Sequence, residues 1–184
     1  MTSLDFKIAF KYPFNRAKGM WNILWILIPI IGWFALGGYT IRIVKEFVKG
    51  KFKQLPTFSF KSDLKLGFFM FLKAIPFILV YAVIIIPLRL LFPWLDLIVE
   101  LFLGLFITPI LFINFFVKET IESLFEFKII KYVFKNIGDY FIAILKSLVL
   151  SLIFFLMWII LVGIPAGSFT KNIFLADFYR RNVK

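Results

Sequence analysis

The 184-residue chain is 62% hydrophobic, has a net charge of +12 and contains neither cysteine nor histidine. Soluble domains are about 45–50% apolar, so this chain has too much apolar surface for one water-soluble core. The missing residue types exclude disulfides, thiolate and imidazole metal sites, cysteine nucleophiles and Ser-His triads. A membrane protein is therefore predicted.

The N-terminal residues 1–19 mix basic residues with aromatic and aliphatic ones. This pattern predicts an interfacial segment, helical or extended, whose aromatic side chains lie at the level of the lipid headgroups. Polar residues interrupt any signal-peptide core, and no small-residue cleavage site follows. The next apolar run, residues 20–39, contains Pro29, which removes a backbone donor and predicts a broken span.

Residues 40–67 form a basic amphipathic segment. On a helical wheel of residues 39–49, the apolar and charged side chains occupy opposite sides. That arrangement is typical of a helix on the membrane surface and equally of the charged end of a transmembrane helix. Gly50 and Pro56 bracket the basic loop that follows.

Residues 68–117 hold two long apolar runs, Phe68–Leu88 and Trp94–Val117, separated by a short link. Each run reaches the length of about 20 apolar residues that a helix needs to cross the hydrocarbon core. The link is too short for a domain, so the pair predicts a transmembrane hairpin at the centre of the fold. Asn114 in the second run is predicted to pack between helices and to be able to form a hydrogen bond there.

The second half of the chain repeats this alternation of apolar and basic segments. Residues 118–139 are amphipathic, and their polar stripe changes sides near Glu126, which predicts a break there between two helices. Residues 140–184 comprise the last apolar run, a predicted break at Gly163–Ser168 and a basic tail.

These elements predict an all-α fold in a single membrane domain, residues 1–184. It is a polytopic integral membrane helical bundle with a central transmembrane hairpin, interfacial amphipathic helices and broken or re-entrant first and last apolar runs. Lysine and arginine concentrate on the cytoplasmic side of membrane helices. A four-span arrangement must place basic segments outside the cell, whereas re-entrant first and last runs keep nearly all of them inside. The re-entrant arrangement is the preferred prediction: a multi-pass protein of the cell membrane with most basic segments cytoplasmic.

Several short motifs support a family resemblance: Tyr12-Pro13-Phe14, Gly38-Tyr39 with Arg42, Leu55-Pro56 and Gly67. With these motifs the chain resembles a domain-of-unknown-function family of small polytopic membrane proteins found in archaea and bacteria. The resemblance implies several membrane spans, and it brings no activity, cofactor or catalytic residue.

Three charged residues near the hairpin link, Arg89, Asp96 and Glu100, form a candidate intramembrane charge cluster. A carboxylate inside a span is costly and usually faces a partner or water. Glu100 is therefore predicted to serve in an ion or proton relay, to dock a basic partner, or to reach the headgroup water at the outer interface.

Eight basic residues are candidate contacts for anionic lipid: Arg42, Lys45, Lys49, Lys51, Lys53, Lys128, Lys131 and Lys135. Each basic residue near an anionic membrane surface contributes about 1 kcal/mol of binding free energy. The alternative is that these charges only orient the protein in the bilayer. Because they flank apolar runs, nucleic acid is not predicted as a partner.

No nucleotide-binding loop, metal-ligand spacing or nucleophile–base pair occurs in the chain, so neither a cofactor nor an enzymatic activity is predicted. The predicted function is a non-enzymatic subunit or scaffold that assembles with itself or with other membrane proteins and contacts anionic lipid. The alternative is a small oligomeric channel or transporter that uses the charge cluster.

Overall fold

The computed structural model describes residues 3–183, and every regular element in that range is helical. The range contains ten α-helices: α1 (Phe6–Lys11), α2 (Ala17–Met20), α3 (Ile31–Val48), α4 (Phe60–Leu91), α5 (Pro93–Phe102), α6 (Thr108–Lys118), α7 (Ile130–Lys135), α8 (Ile137–Leu156), α9 (Gly163–Thr170) and α10 (Ile173–Asn182). 3-10 turns occupy Phe14–Arg16, Trp21–Leu27, Ile121–Leu124, Phe127–Ile129 and Met157–Ile160, and a π-helical turn, Leu103–Ile107, lies between α5 and α6. The predicted all-α class is therefore confirmed.

Three helical stretches within residues 3–183 are long and apolar enough to cross a bilayer: Phe60–Leu91, Pro93–Lys118 and Ile137–Ile160. No more than 22% of the most apolar window of each is buried inside the protein, so most of these side chains face outward. Outward apolar surface on this scale needs a lipid environment. The protein is therefore a membrane protein.

The two central apolar runs pair as a hairpin. α4 begins at Phe60, eight residues before the apolar run does, and Asp63 accepts a hydrogen bond from Ser59 N–H just ahead of the helix (2.8 Å). α5, the other helix of the pair, starts with Pro93. At the first position of a helix the missing N–H and the fixed φ of proline are compatible with helical structure.

The first apolar run is broken, as predicted. After the 3-10 helix Trp21–Leu27 the chain reverses at Ile30, whose φ of 64° lies in the left-handed region. α3 then runs back beside the segment it has just left, and a Cβ on Gly32 would overlap the carbonyl oxygen of Trp25. Only glycine lets the two segments lie this close.

The last apolar run also reverses, but at a different place from the one predicted. The reversal falls on Leu161, with a φ of 58°, whereas the predicted break, Gly163–Ser168, is helical and belongs to α9. The glycine provides close packing instead of the turn, because a Cβ on Gly163 would overlap the carbonyl oxygen of Phe154.

α9 and α10 return along α8 toward its start. Arg181 near the end of α10 pairs with Asp139 in the first turn of α8 (2.8 Å). Asp177, buried on α10, accepts a hydrogen bond from Leu4 N–H (2.9 Å). These contacts hold α10 against the last apolar helix and the N-terminal segment against α10.

The buried core is centred on the two returning helices, α3 and α10. Residues Ile173–Tyr179 of α10 are all buried, as is more than half of α3. α3 crosses α4 at Gly38 and Gly67, where an added Cβ would overlap a backbone carbonyl oxygen of the other helix. Small residues at a helix crossing allow the backbones to approach closely.

The segment between the hairpin and the last run is interrupted at the predicted position, Glu126, which lies between the 3-10 turns Ile121–Leu124 and Phe127–Ile129. The helix of the hairpin does not extend to this point: α6 ends at Lys118, and Glu119 adopts a left-handed φ of 57°. Lys73 on α4 donates to the Glu119 carbonyl oxygen (2.7 Å). This tertiary hydrogen bond takes one of the carbonyls that a helix end leaves without a partner and stabilises the early end of α6.

Candidate functional site

The predicted charge cluster forms at the tip of the hairpin. Arg89 Nε donates to Asp96 (2.9 Å), and a terminal nitrogen of the same guanidinium pairs with Glu100. Asp96 is 5% exposed, and its Oδ1 has no hydrogen-bond partner among the described residues. One cation thus faces two carboxylates and links the end of α4 to the start of α5.

The basic residues predicted to contact lipid lie in two separate places. One group is exposed on α7 and the turn before it: Lys128, Lys131 and Lys135. The other group lies on α3 and the loop that follows it: Arg42, Lys45, Lys49, Lys51 and Lys53. The predicted lipid contacts therefore form two basic surfaces on different elements of the chain.

Two residues of the α3 group are engaged in ion pairs. Arg42 pairs with the buried Asp63 on α4 (2.6 Å), and Lys45 pairs with Glu119 at the end of α6. Lys49, Lys51 and Lys53 are exposed. The paired members help to hold α3 in place, whereas the exposed lysines remain open to an anion.

A cavity of about 540 Å³ lies between this loop and the N-terminal segment. Its charged and hydroxyl-bearing lining residues are Arg16, Arg42, Glu46, Lys51, Lys53 and Thr57. Arg16 is the member that sequence reasoning did not assign to the basic group. Only its place in a basic N-terminal segment pointed to it, since it lies 35 residues before the exposed lysines.

Hydrogen bonds from other parts of the chain hold the walls of this cavity. Arg16 Nη1 donates to Thr57 Oγ1 (2.7 Å), and Asn15 Nδ2 donates to the Lys53 carbonyl oxygen (2.6 Å). The buried Tyr39 hydroxyl donates to the Pro56 carbonyl oxygen (3.0 Å). The loop is therefore fixed to the N-terminal segment and to α3.

A buried polar network lies at the basic end of α6. Asn114 is fully buried; its Nδ2 donates to the Ser123 carbonyl oxygen (2.8 Å), and its Oδ1 accepts from the Tyr179 hydroxyl (2.6 Å). Its Nδ2 also donates to Glu126 (3.0 Å), which pairs with Lys118. Hydrogen bonds from Lys118 and Asn114 lower the pKa of the Glu126 carboxyl.

An apolar groove of about 640 Å³ opens on the outer surface between α3, α4 and α6. Gly37 lies in the groove, and an added Cβ there would meet no atom within 4 Å. Trp33, Phe71 and Phe116 are among the large side chains that line it. The groove thus combines apolar walls with an open glycine backbone.

The motifs behind the family resemblance lie close together in the structure. Gly38 and Gly67 form the crossing of α3 and α4, and Tyr39 bonds to Pro56. Arg42 joins them through Asp63 and lies over the Tyr39 ring, 5.5 Å from its centroid. These residues therefore hold the first half of the fold together.

The chain has no match among the curated proteins or among the solved structures that were compared with it. A family described as "Protein of unknown function (DUF4013)" matches residues 22–163, which is well over half of the chain. That range includes the hairpin, the groove and most of the basic cavity, and it begins after Arg16. The chain therefore belongs to this family of uncharacterised proteins.

Proposed function

We propose that the protein is a non-enzymatic integral membrane protein that works as a subunit or scaffold: it assembles with a second copy of itself and contacts anionic lipid. The observation that carries the proposal is the apolar groove with Gly37 open at its surface. Helices associate in lipid through close packing, because lipid tails are as apolar as the helix surface itself. A groove with an exposed glycine offers a neighbouring helix more contact than a flat apolar face does.

α8 of the second copy is the helix proposed to occupy this groove. It presents an outward stripe of large apolar side chains at helical spacing: Leu145, Leu148, Leu152 and Phe155. Recognition of a helix in a groove uses anchors three and four residues apart. The chain therefore carries both a groove and a matching stripe on different faces.

The assembly is tested by measuring the mass of the purified protein in native detergent. We expect a multiple of the chain mass for the wild type and a monomer for Gly37→Leu, which fills the groove. Gly104→Leu is the matched control, because Gly104 is also open to added atoms but lies outside the groove. A monomeric wild type would overturn the proposal; a complex containing a different protein would replace the second copy with another membrane subunit.

Both broken runs are proposed to re-enter the membrane, so that the basic segments lie in the cytoplasm and the hairpin tip lies outside. The reversals at Ile30 and Leu161 support this topology, because each returns the chain toward the side from which it came. Single introduced cysteines give a clean test, since the chain has none of its own. We expect Lys53→Cys and Lys128→Cys to be labelled only from the cytoplasmic side and Leu90→Cys only from outside. A C-terminal tag exposed outside while residue 53 is protected inside would contradict this topology.

Contact with anionic lipid is proposed for both basic surfaces. Replacing Lys128, Lys131 and Lys135 with glutamine should reduce the anionic lipid retained by the protein after extraction from mixed bilayers. Retention that does not change would leave these three lysines with an orienting role only.

The second candidate is a small oligomeric channel or transporter. It is favoured by Asp96, a buried carboxylate with an oxygen that has no partner among the described residues. Flux through proteoliposomes should then fall in Glu100→Gln, which removes one of the two carboxylates around Arg89. Wild-type liposomes without flux would eliminate this candidate.

A further inference from the structure

We propose that the cavity lined by Arg16, Arg42, Lys51 and Lys53 is a binding site for a phosphate group. It deepens the proposed lipid contact by assigning it to one defined site and one chemical class. The four cations come from three segments of the chain, and Glu46 is the single carboxylate among residues 3–183 that lines the cavity with them. A phosphate has oxygens on every side, so it can accept donors from several directions at once.

Arg42 has donors to spare at this site. Asp63 engages its Nη2, while 29% of the Arg42 side chain remains exposed and lines the cavity. A guanidinium presents five N–H donors in a planar fork that suits phosphate oxygens. The pairing with Asp63 and the Tyr39 ring therefore positions Arg42 without using all its donors.

The cavity is preformed and has the size of a ligand site. The bonds from Arg16, Asn15 and Tyr39 described above fix its loop from outside. Its volume of about 540 Å³ lies within the range of about 300–1,000 Å³ that small-molecule sites occupy. A site held open in this way binds with less loss of conformational freedom.

Aromatic residues place the cavity at the level of the headgroups. Trp25 stacks on Phe60, the first residue of α4, with 4.4 Å between ring centroids. Trp25 also stacks on Phe58 (5.9 Å), one residue after Thr57 of the cavity. Aromatic side chains gather where a span meets the membrane surface. A phosphate can reach this position on a phospholipid headgroup or on a soluble molecule.

The test measures binding of two probes to the full chain in maltoside-detergent micelles, which contain no phosphate: soluble glycerol phosphate, and phosphatidylglycerol titrated into the same micelles. The variant is Lys51→Gln with Lys53→Gln. Both side chains are exposed, so the fold is expected to remain intact. The control is Lys61→Gln with Lys65→Gln, which removes the same charge from exposed positions on α4 outside the cavity.

We expect the cavity variant to bind at least one of the probes ten-fold more weakly than the wild type and the control to stay within two-fold. A defect with glycerol phosphate alone assigns the site to a soluble phosphate, and a defect that includes phosphatidylglycerol assigns it to a headgroup. Equal defects in variant and control, or no saturable binding of either probe, would overturn the proposal. Gly37→Leu should leave this binding unchanged, so the site and the assembly can fail independently.

Discussion

The first and last apolar runs reverse by the same device at two distant points of the chain. Each passes through a 3-10 helix, takes a left-handed residue other than glycine, and then uses a glycine to pack back on the segment just left. Ile30 with Gly32 serves the first run, and Leu161 with Gly163 serves the last. The turn residues face outward, whereas the glycines are buried.

The two reversals differ in what anchors the returning helix. α3 is tied to α4 by the pair of Arg42 with Asp63 and by the glycine crossing. α10 is tied to the N-terminal segment by the buried Asp177, which accepts a hydrogen bond from Leu4 N–H, and to α8 by the pair of Arg181 with Asp139. Different residues therefore reverse the backbone and anchor the returning helix.

The largest effect is expected from the anchor of the last return. Asp177→Asn should lower the free energy of unfolding by about 3 kcal/mol, because it removes a buried carboxylate that faces two guanidinium groups. Denaturant unfolding in detergent measures the change. Asp63→Asn, the matched change in the first return, faces one guanidinium and should cost less; a larger cost there would reverse this ranking of the two anchors.

A smaller loss is expected from the packing glycines. Gly32→Ala and Gly163→Ala should each lower stability by about 1–3 kcal/mol, the usual cost of overpacking, because each new Cβ would overlap a carbonyl oxygen. Thermal unfolding in detergent gives the measurement. Gly104→Ala is the control, since its added Cβ meets no atom within 4 Å and Gly104 lies outside the proposed assembly groove. Equal unfolding temperatures for all three variants would contradict the close approach of the backbones at the reversals.

Substitutions of the two turn residues by glycine should have the opposite effect on stability. Ile30→Gly and Leu161→Gly are expected to raise stability by about 1 kcal/mol, because glycine removes the strain of a left-handed side-chain residue. Leu79→Gly, at an exposed position in the interior of α4, should instead lower the stability by about 1 kcal/mol, the cost of glycine inside a helix. The same unfolding assay separates the two signs, and a loss at both turns would contradict the left-handed geometry.

The smallest effect on stability is expected from Glu126, in the segment between α6 and α7. Its pKa is lowered in the folded protein, chiefly by the hydrogen bond from Lys118, so its stabilising effect is present at neutral pH and is lost as the pH falls through the folded pKa. Glu126→Gln should therefore be less stable at pH 7 by less than about 1 kcal/mol, since the pair is partly exposed. The difference should close below the ordinary glutamate pKa of about 4.3. The exposed Glu122→Gln serves as the control; a difference that persists in acid would contradict the ionic origin.

Much of the fold could be predicted because local patterns carry it. Apolar length identifies the candidate spans, and Pro29 marks the first reversal, since proline removes a backbone donor wherever it stands. The charge cluster was predictable as well: Arg89, Asp96 and Glu100 lie so close to one short link that a hairpin brings them together. The position of the last reversal was not predictable, because nothing in Leu161 itself favours a left-handed turn.

The basic cavity shows the limit of local reasoning. Lys51 and Lys53 stand out in the sequence, but Arg16 joins them only because the N-terminal segment packs on the loop. The sequence also leaves the roles of the adjacent Gly37 and Gly38 undetermined. In the structure an added Cβ on Gly37 meets no atom within 4 Å, whereas Gly38 packs against the backbone of Asp63. The sequence pattern cannot show which of the two glycines is buried, because that depends on contact with α4, which starts more than twenty residues later.

The sequence by itself determined the lipid environment, the helical class and the charge of each connecting segment, because hydropathy and helical spacing act over neighbouring residues. Only the tertiary structure decided which helices are buried, where the last run turns back and which basic residues meet around one cavity. Those outcomes depend on close packing between segments that lie far apart along the chain, where a single Cβ or carboxylate determines whether two helices can touch.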